Sequence, residues 1–357
     1  MKSTISSSPV GYIKFIAYLQ VIGIILVVAG HSLHEYPDGV HGWSTWFYRA
    51  FMTFRMPLFM FVSGLLMVYT TKVATCPKYS PKEFAVNKLR RLILPFIVLT
   101  LVTFFPRAMA GGVADDELPL TVGNFMLAFI RHENMPIPFL WFLQASFIML
   151  TLTYTLQCLV GPKSVKCVTA VLAVAFLALL LAPVKLPSHF AFDKIQSLGF
   201  YFVLGCVYGL FFSNVDRFVP WTRPWMFLTL SAVWFVLFKL LESSSFYFLC
   251  SLAGIAMCIS LAKILEERQW RFLDHLMGAN YLIFLLSWYF NIASQQVLAH
   301  FVTLPWWVHT ALSLISGIYV PWLGYKYLEA HQQSRWVRVT SFLLGQSFKS
   351  KSEINNV

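Results

Sequence analysis

Acidic residues are scarce in this chain: 15 Asp and Glu stand against 27 Lys and Arg in 357 residues, and charged side chains make up 12% of the whole. Soluble domains carry about 25% charged residues, so a water-facing surface cannot be drawn over this sequence. Cysteine is sparse too. The six present, Cys76, Cys158, Cys167, Cys206, Cys250 and Cys258, show no paired external spacing, which argues against a disulfide framework or a metal knuckle and for small apolar thiols. Linkers, low-complexity tracts and internal repeats are missing, so a single domain, 1–333, with a polar tail, 334–357, is expected. The short apolar–polar alternation of a transmembrane barrel is missing as well. No small-x-small cleavage site follows the first apolar run, so that run is not expected to be a cleaved signal peptide.

What the chain has is hydrocarbon: 58% hydrophobic and 17% aromatic residues. Apolar runs of the length a bilayer core demands recur from end to end, which makes this an all-α polytopic membrane protein. About ten spans are expected: Tyr12–Ser32, Trp46–Tyr69, Leu92–Ala110, Leu140–Val160, Cys167–Ala182, Leu198–Phe212, Pro224–Leu241, Phe246–Ile264, Leu276–Leu298 and Leu304–Tyr327. Basic residues favour the cytoplasmic side. The richest basic stretch is Lys72 to Arg91, and most acids fall on the alternate segments, which puts both termini in the cytoplasm. Topology and lipid headgroups therefore account for the net charge of +12 without any nucleic acid.

Polar side chains within the spans are the informative ones, because each costs free energy in lipid unless it faces a cavity or a partner. In the first span Gln20 and His31 lie eleven residues apart, about three turns and 16 Å along one helix face. They either line a path through the protein, or Gln20 bonds a neighbouring helix while His31 caps the span. Arg55, in "FRMPLFMFVSG", shares the outer half of the membrane with His31 if the first two spans are antiparallel. A guanidinium beside an imidazole favours the neutral, basic ring, and arginine can stabilise a developing oxyanion. The alternative is that Arg55 snorkels to headgroups or pairs with Glu35 or Asp38.

Lys82, Lys88, Arg90 and Arg91 form a basic cluster that suits either an anionic ligand or a positive-inside anchor. Trp141 and Gln144 fall near the outer face, where an aromatic could stack on a sugar or simply pack. Asn291 and Gln295, four apart, share one face of the ninth span, as an interhelical hydrogen-bonding pair would. His34, Glu35, Asp38 and His41 follow His31, but such spacing does not make three or four converging zinc ligands, and no metal is expected.

Five stretches carry a resemblance: "YIKFIAYLQVIGIILVVAGHS", "FRMPLFMFVSGLLM", "KLRRLILPF", "FLWFLQASF" and "LGFYFVLGCVYG". In that order, from about Gly11 to Phe212, they resemble the acyltransferase-3 family of integral membrane O-acyltransferases, most nearly its fucose 4-O-acetylase-like branch. The resemblance implies that His31 is the essential catalytic histidine, helped by Arg55. It implies acetyl-CoA as co-substrate, with Gln20, Lys82, Lys88, Arg90 and Arg91 along its route, and no permanently bound cofactor. The acceptor would be a sugar hydroxyl of an envelope or lipid-linked glycan, with Glu35, Asp38, Trp141 and Gln144 on its side, in a bacterial cytoplasmic membrane. His31 would act as a general base or would itself be acylated. The chain departs from the family in four places: Gln20 replaces a base, Ala17 an acid, Arg55 a histidine, and "GANYLIFLLSW" lacks its histidine. A transporter or flippase for a polar lipid or glycan, or a scaffold without activity, would use the same polar path without chemistry.

Overall fold

Backbone N–H and C=O groups in hydrocarbon must be satisfied within the segment, and helices do this. The computed structural model describes residues 14–34, 42–109, 120–241, 245–301 and 305–346, the side chains of 34, 42–44, 212–217, 245 and 297–300 excepted. Among the described residues the chain is all helical: α1 Lys14–His34, α2 Gly42–Met52, α3 Arg55–Thr71, α4 Pro81–Lys88, α5 Leu94–Met109, α6 Val122–Leu127, α7 Trp141–Leu181, α8 Phe192–Phe218, α9 Pro224–Leu241, α10 Phe248–Glu267, α11 Asn280–Phe301, α12 Trp306–Ala330 and α13 Arg335–Leu343. Seven stretches are long and apolar enough to cross a membrane: Lys14–Leu33, Thr45–Thr71, Pro81–Met109, Trp141–Leu181, Phe192–Phe211, Pro224–Leu241 and Phe248–Glu267. The expected fourth and fifth spans run as one element, α7, broken at Gly161 (φ 74°, ψ 168°), just before Pro162.

The hub is α1, which touches α2, α3, α10, α11 and α12. Tyr18, Leu19, Val21, Ile24 and Val28 on it are fully buried. Its beginning is pinned to the loop before α11: Lys14 lies 3.1 Å from Asp274, and the Tyr18 hydroxyl is 2.8 Å from Asp274 Oδ1 and 2.7 Å from the Trp270 carbonyl oxygen. At the rim, α9 and the half of α7 after Gly161 bury few side chains. The tightest helix pair is α3 with α8. Gly64 and Gly205 put backbone directly on backbone there; a methyl group on either would overlap the carbonyl oxygen of Phe202 or Phe61, the close approach small residues allow in membranes.

Two prolines shape the elements that matter for function. The expected second span is two helices, because Pro57 has no N–H to give the Thr53 carbonyl and its ring crowds that position. The chain breaks at Phe54 (φ −135°, ψ −9°), and Ser251 of α10 donates to the Thr53 oxygen instead, at 2.5 Å. Pro95 likewise leaves the Arg91 carbonyl without its helical donor. Here the helix continues through a wider turn, Leu89–Ile93, closed from Leu94 N–H to Leu89 O, and the Tyr281 hydroxyl of α11 donates to the Arg91 oxygen. The segment beyond 334, expected as a polar tail, forms α13, whose Val337 and Ser341 are buried.

Candidate functional site

The final turn of α1 carries His31, and a helix end leaves its last carbonyls without intrahelical donors. Gln295 supplies one: its Nε2 donates to the Ser32 oxygen at 3.0 Å and lies 3.2 Å from Ser313 Oγ of α12. One turn earlier on α11, Asn291 Nδ2 is 3.3 Å from the Val28 oxygen, which also accepts from Ser32 Oγ at 2.9 Å. Asn291 and Gln295 are buried. The interhelical role expected of this pair is what they perform, and the backbone they hold belongs to the turn of His31.

Arg55 closes the other side of that turn. The break at Phe54 makes it the first residue of α3, and its side chain, 6% exposed, lies against Gly30. A methyl group at Gly30 would overlap Nη1 and stand 2.8 Å from Cζ; the missing Cβ is the guanidinium's seat. The guanidinium also sits over the Tyr48 ring, 5.5 Å from its centroid. Arg55 thus lies against the residue that precedes His31. The His31 ring packs against Phe139, centroids 5.9 Å apart and planes at 56°.

The Gln20 end of α1 is open. A cavity of about 580 Å³ is walled by Gln20, Ser63, Thr70, Lys88, Arg91 and Tyr281, among other residues. Ser80 accepts from the Glu83 N–H (3.2 Å) while Glu83 Oε2 accepts from the Ser80 N–H (2.8 Å), a capping box that starts α4 and so sets Lys88 at the wall. Of the four expected basic residues, Lys88 and Arg91 line this cavity. Lys82 is exposed and not in the wall, and Arg90 turns away to lie 4.3 Å over the Phe342 ring of α13.

The cavity does not reach His31. It stops at Phe59, Phe142 and Phe284, whose rings meet at 5.7 Å, 5.9 Å and 5.3 Å between centroids. Phe139 follows, 5.0 Å from Phe284, and then His31. The continuous path from Gln20 to His31 expected from the sequence is closed by these rings.

Of the outer-side residues expected beside the acceptor, Trp141 and Gln144 are described. Gln144 is buried and spends its amide on the Phe129 carbonyl, 2.7 Å away, tying α7 to the loop before it. Trp141 lines a separate, mostly apolar cavity of about 340 Å³ with Met56, Pro57, Tyr201 and Lys194, without His31; the Lys194 ammonium stands 5.7 Å over its ring. Glu35, Asp38 and His41 lie outside the described residues.

Sequence reasoning passed over Gly30, Ser251, Tyr281 and the four phenylalanines. A glycine directly before the histidine and the prolines at 57 and 95 were the available signals for the first three. Phenylalanine, with 34 copies, offers no such signal. Compared with known families, residues 13–326 match the model described as an acyltransferase domain, well beyond the Phe212 at which the recognisable motifs stop. No curated protein and no solved structure matches the chain.

Proposed function

This chain belongs to the acyltransferase-3 family of membrane acyltransferases, and from that premise we propose that it moves an acetyl group from acetyl-CoA, taken up at the Arg91 end of α1, to a sugar hydroxyl of an envelope or surface glycan at the His31 end. The observation that carries the reading is the cavity itself: a mostly apolar space along α1 whose wall also holds Gln20, Ser63, Thr70, Lys88 and Arg91. Coenzyme A is a polyanion with a long neutral arm. Its phosphates suit Lys88 and the bidentate guanidinium of Arg91, and the pantetheine amides suit Gln20, Ser63 and Thr70. The Arg91 end faces the cytoplasm, as the basic clustering favours, and the membrane is a bacterial cytoplasmic membrane.

In the reaction, His31 takes the proton of the acceptor hydroxyl as that oxygen attacks the thioester carbonyl. The C–O bond forms, the C–S bond breaks and CoA leaves as the thiolate. Arg55, held on Gly30 beside the histidine, supplies positive charge toward the oxyanion of the tetrahedral intermediate. Positioned acid–base groups contribute about 10² to 10⁴-fold, so His31→Ala should lower transfer by about that factor while the protein still inserts and folds. Mass spectrometry of surface glycans from cells carrying either form checks this through the loss of one acetyl unit on a defined sugar. Equal acetylation with His31→Ala would remove His31 from the mechanism.

A further inference from the structure

Between the donor cavity and the histidine stands a layer of side chains to which no role attaches so far. Phe59 on α3, Phe142 on α7 and Phe284 on α11 end the cavity, and Phe139, 5% exposed, fills the step from Phe284 to His31. The rings come from three separate segments of the chain, Phe139 and Phe142 from the same one, yet they form one unbroken contact series with centroid spacings of 5.0 to 5.9 Å. Those spacings are ordinary ring contacts, leaving no channel for a thioester between them.

Resting on the acyl-transfer reading, we infer that Phe139 and Phe284, backed by Phe59 and Phe142, are specificity-determining residues that keep the thioester away from His31 until an acceptor is bound, so that the acyl group goes to a sugar hydroxyl rather than to water. The need follows from the chemistry. A base beside water activates water as it activates a hydroxyl, and a thioester in permanent reach would be hydrolysed: the C–S bond breaks, acetate takes the water oxygen and CoA leaves with a proton. Ring rotation is the small motion that opens such a layer. The Phe139–Phe284 step moves first, because Phe139 lies just before α7 rather than within it.

The test uses the full chain in sealed membrane vesicles. With His31 intact, Phe139→Ala and Phe284→Ala should raise CoA release from acetyl-CoA without acceptor by about tenfold, and Phe139→Leu, which restores bulk, should lie near the parent. An independent readout needs no catalysis. In a His31→Cys background, a charged maleimide is added on the side where native Cys76, exposed after α3, is labelled. Mass spectrometry of the peptide holding residue 31 should show slow labelling with all four rings present, and labelling at least five times faster with either alanine. Equal labelling with and without the rings overturns the layer, as does unchanged acceptor-free CoA release in a protein that transfers acetyl groups. Faster labelling in a protein that never cleaves the thioester, with or without acceptor, keeps the layer as a barrier and defeats the acyl-transfer reading instead.

Discussion

Pro57 and Pro95 do the same thing to the backbone and arrive at opposite results. Each withholds an N–H from the carbonyl four residues earlier, and each freed carbonyl is taken up by a hydroxyl from another helix: Ser251 for Thr53, Tyr281 for Arg91. Each break also sets an arginine beside α1. At Pro57 the helix parts completely and Arg55 is buried on Gly30. At Pro95 the helix only widens, and Arg91 stays exposed at a cavity wall beside Lys88. A buried cation in a made-to-measure seat cannot exchange partners and so serves a fixed geometry; an exposed one can meet and release an anion. The same local device thus serves holding at one end of α1 and binding at the other.

The buried end should be the more sensitive. Gly30→Ala drives a methyl group into the Arg55 guanidinium, which is the flexible tip of a side chain and will move. Alanine is better than glycine in a helix by about 1 kcal/mol, so thermal stability should hold or rise. Transfer should nevertheless fall about 10² to 10³-fold, the cost of losing one oxyanion donor, with the Kd for acetyl-CoA unchanged. Arg55→Ala should match it, and the double variant should be no worse than either, since contacting residues are not additive. Full activity in Gly30→Ala would mean that the seat has no catalytic use.

The open end should respond by degrees. Lys88→Ala and Arg91→Ala should each weaken acetyl-CoA binding about tenfold, an effect that shrinks as salt screens the charges, while turnover at saturating donor stays near the parent. Lys82→Ala and Arg90→Ala, exposed or stacked on Phe342, should leave the Kd within about twofold. Isothermal titration at two salt concentrations separates the pairs, and four equal losses would return the cluster to a general membrane anchor.

That contrast marks how far the sequence carries. Hydropathy is enough for a helical membrane protein, and the i, i+4 spacing of Asn291 and Gln295 is enough for an interhelical pair. The histidine at the end of the first span could be singled out because it sits where imidazole is costly. Lys82, Lys88, Arg90 and Arg91 could not be told apart, because the start of α4 and the widened turn at Leu89–Ile93 together decide which of them faces the cavity, and spacing reveals neither. The phenylalanine layer is assembled from three distant segments, and each ring by itself looks like any lipid-facing residue. Gln144 and Trp141 show a related gap: a polar or aromatic residue near a helix end has packing and backbone contacts that spacing does not reveal.

The smallest effects belong to the hydroxyls that repair the two breaks. Ser251 is 3% exposed, and Ser251→Ala leaves the Thr53 carbonyl without this donor beside the mostly apolar cavity that Ser251 lines, although Trp234 Nε1 still holds the Thr53 side chain at 3.1 Å. A buried acceptor left unmet costs about 1 to 3 kcal/mol. Tyr281→Phe removes the corresponding donor from Arg91, but Arg91 is exposed at the wall of a cavity that also holds Gln20, Ser63 and Thr70, where water can take the vacated place for much less. Unfolding of the two variants in the same micelles should therefore rank Ser251→Ala well below Tyr281→Phe in stability, with Tyr281→Phe within about 1 kcal/mol of the parent. Equal losses would mean that the Arg91 turn is as dry as the Thr53 break, and the distinction between a holding end and a binding end would lose its physical basis.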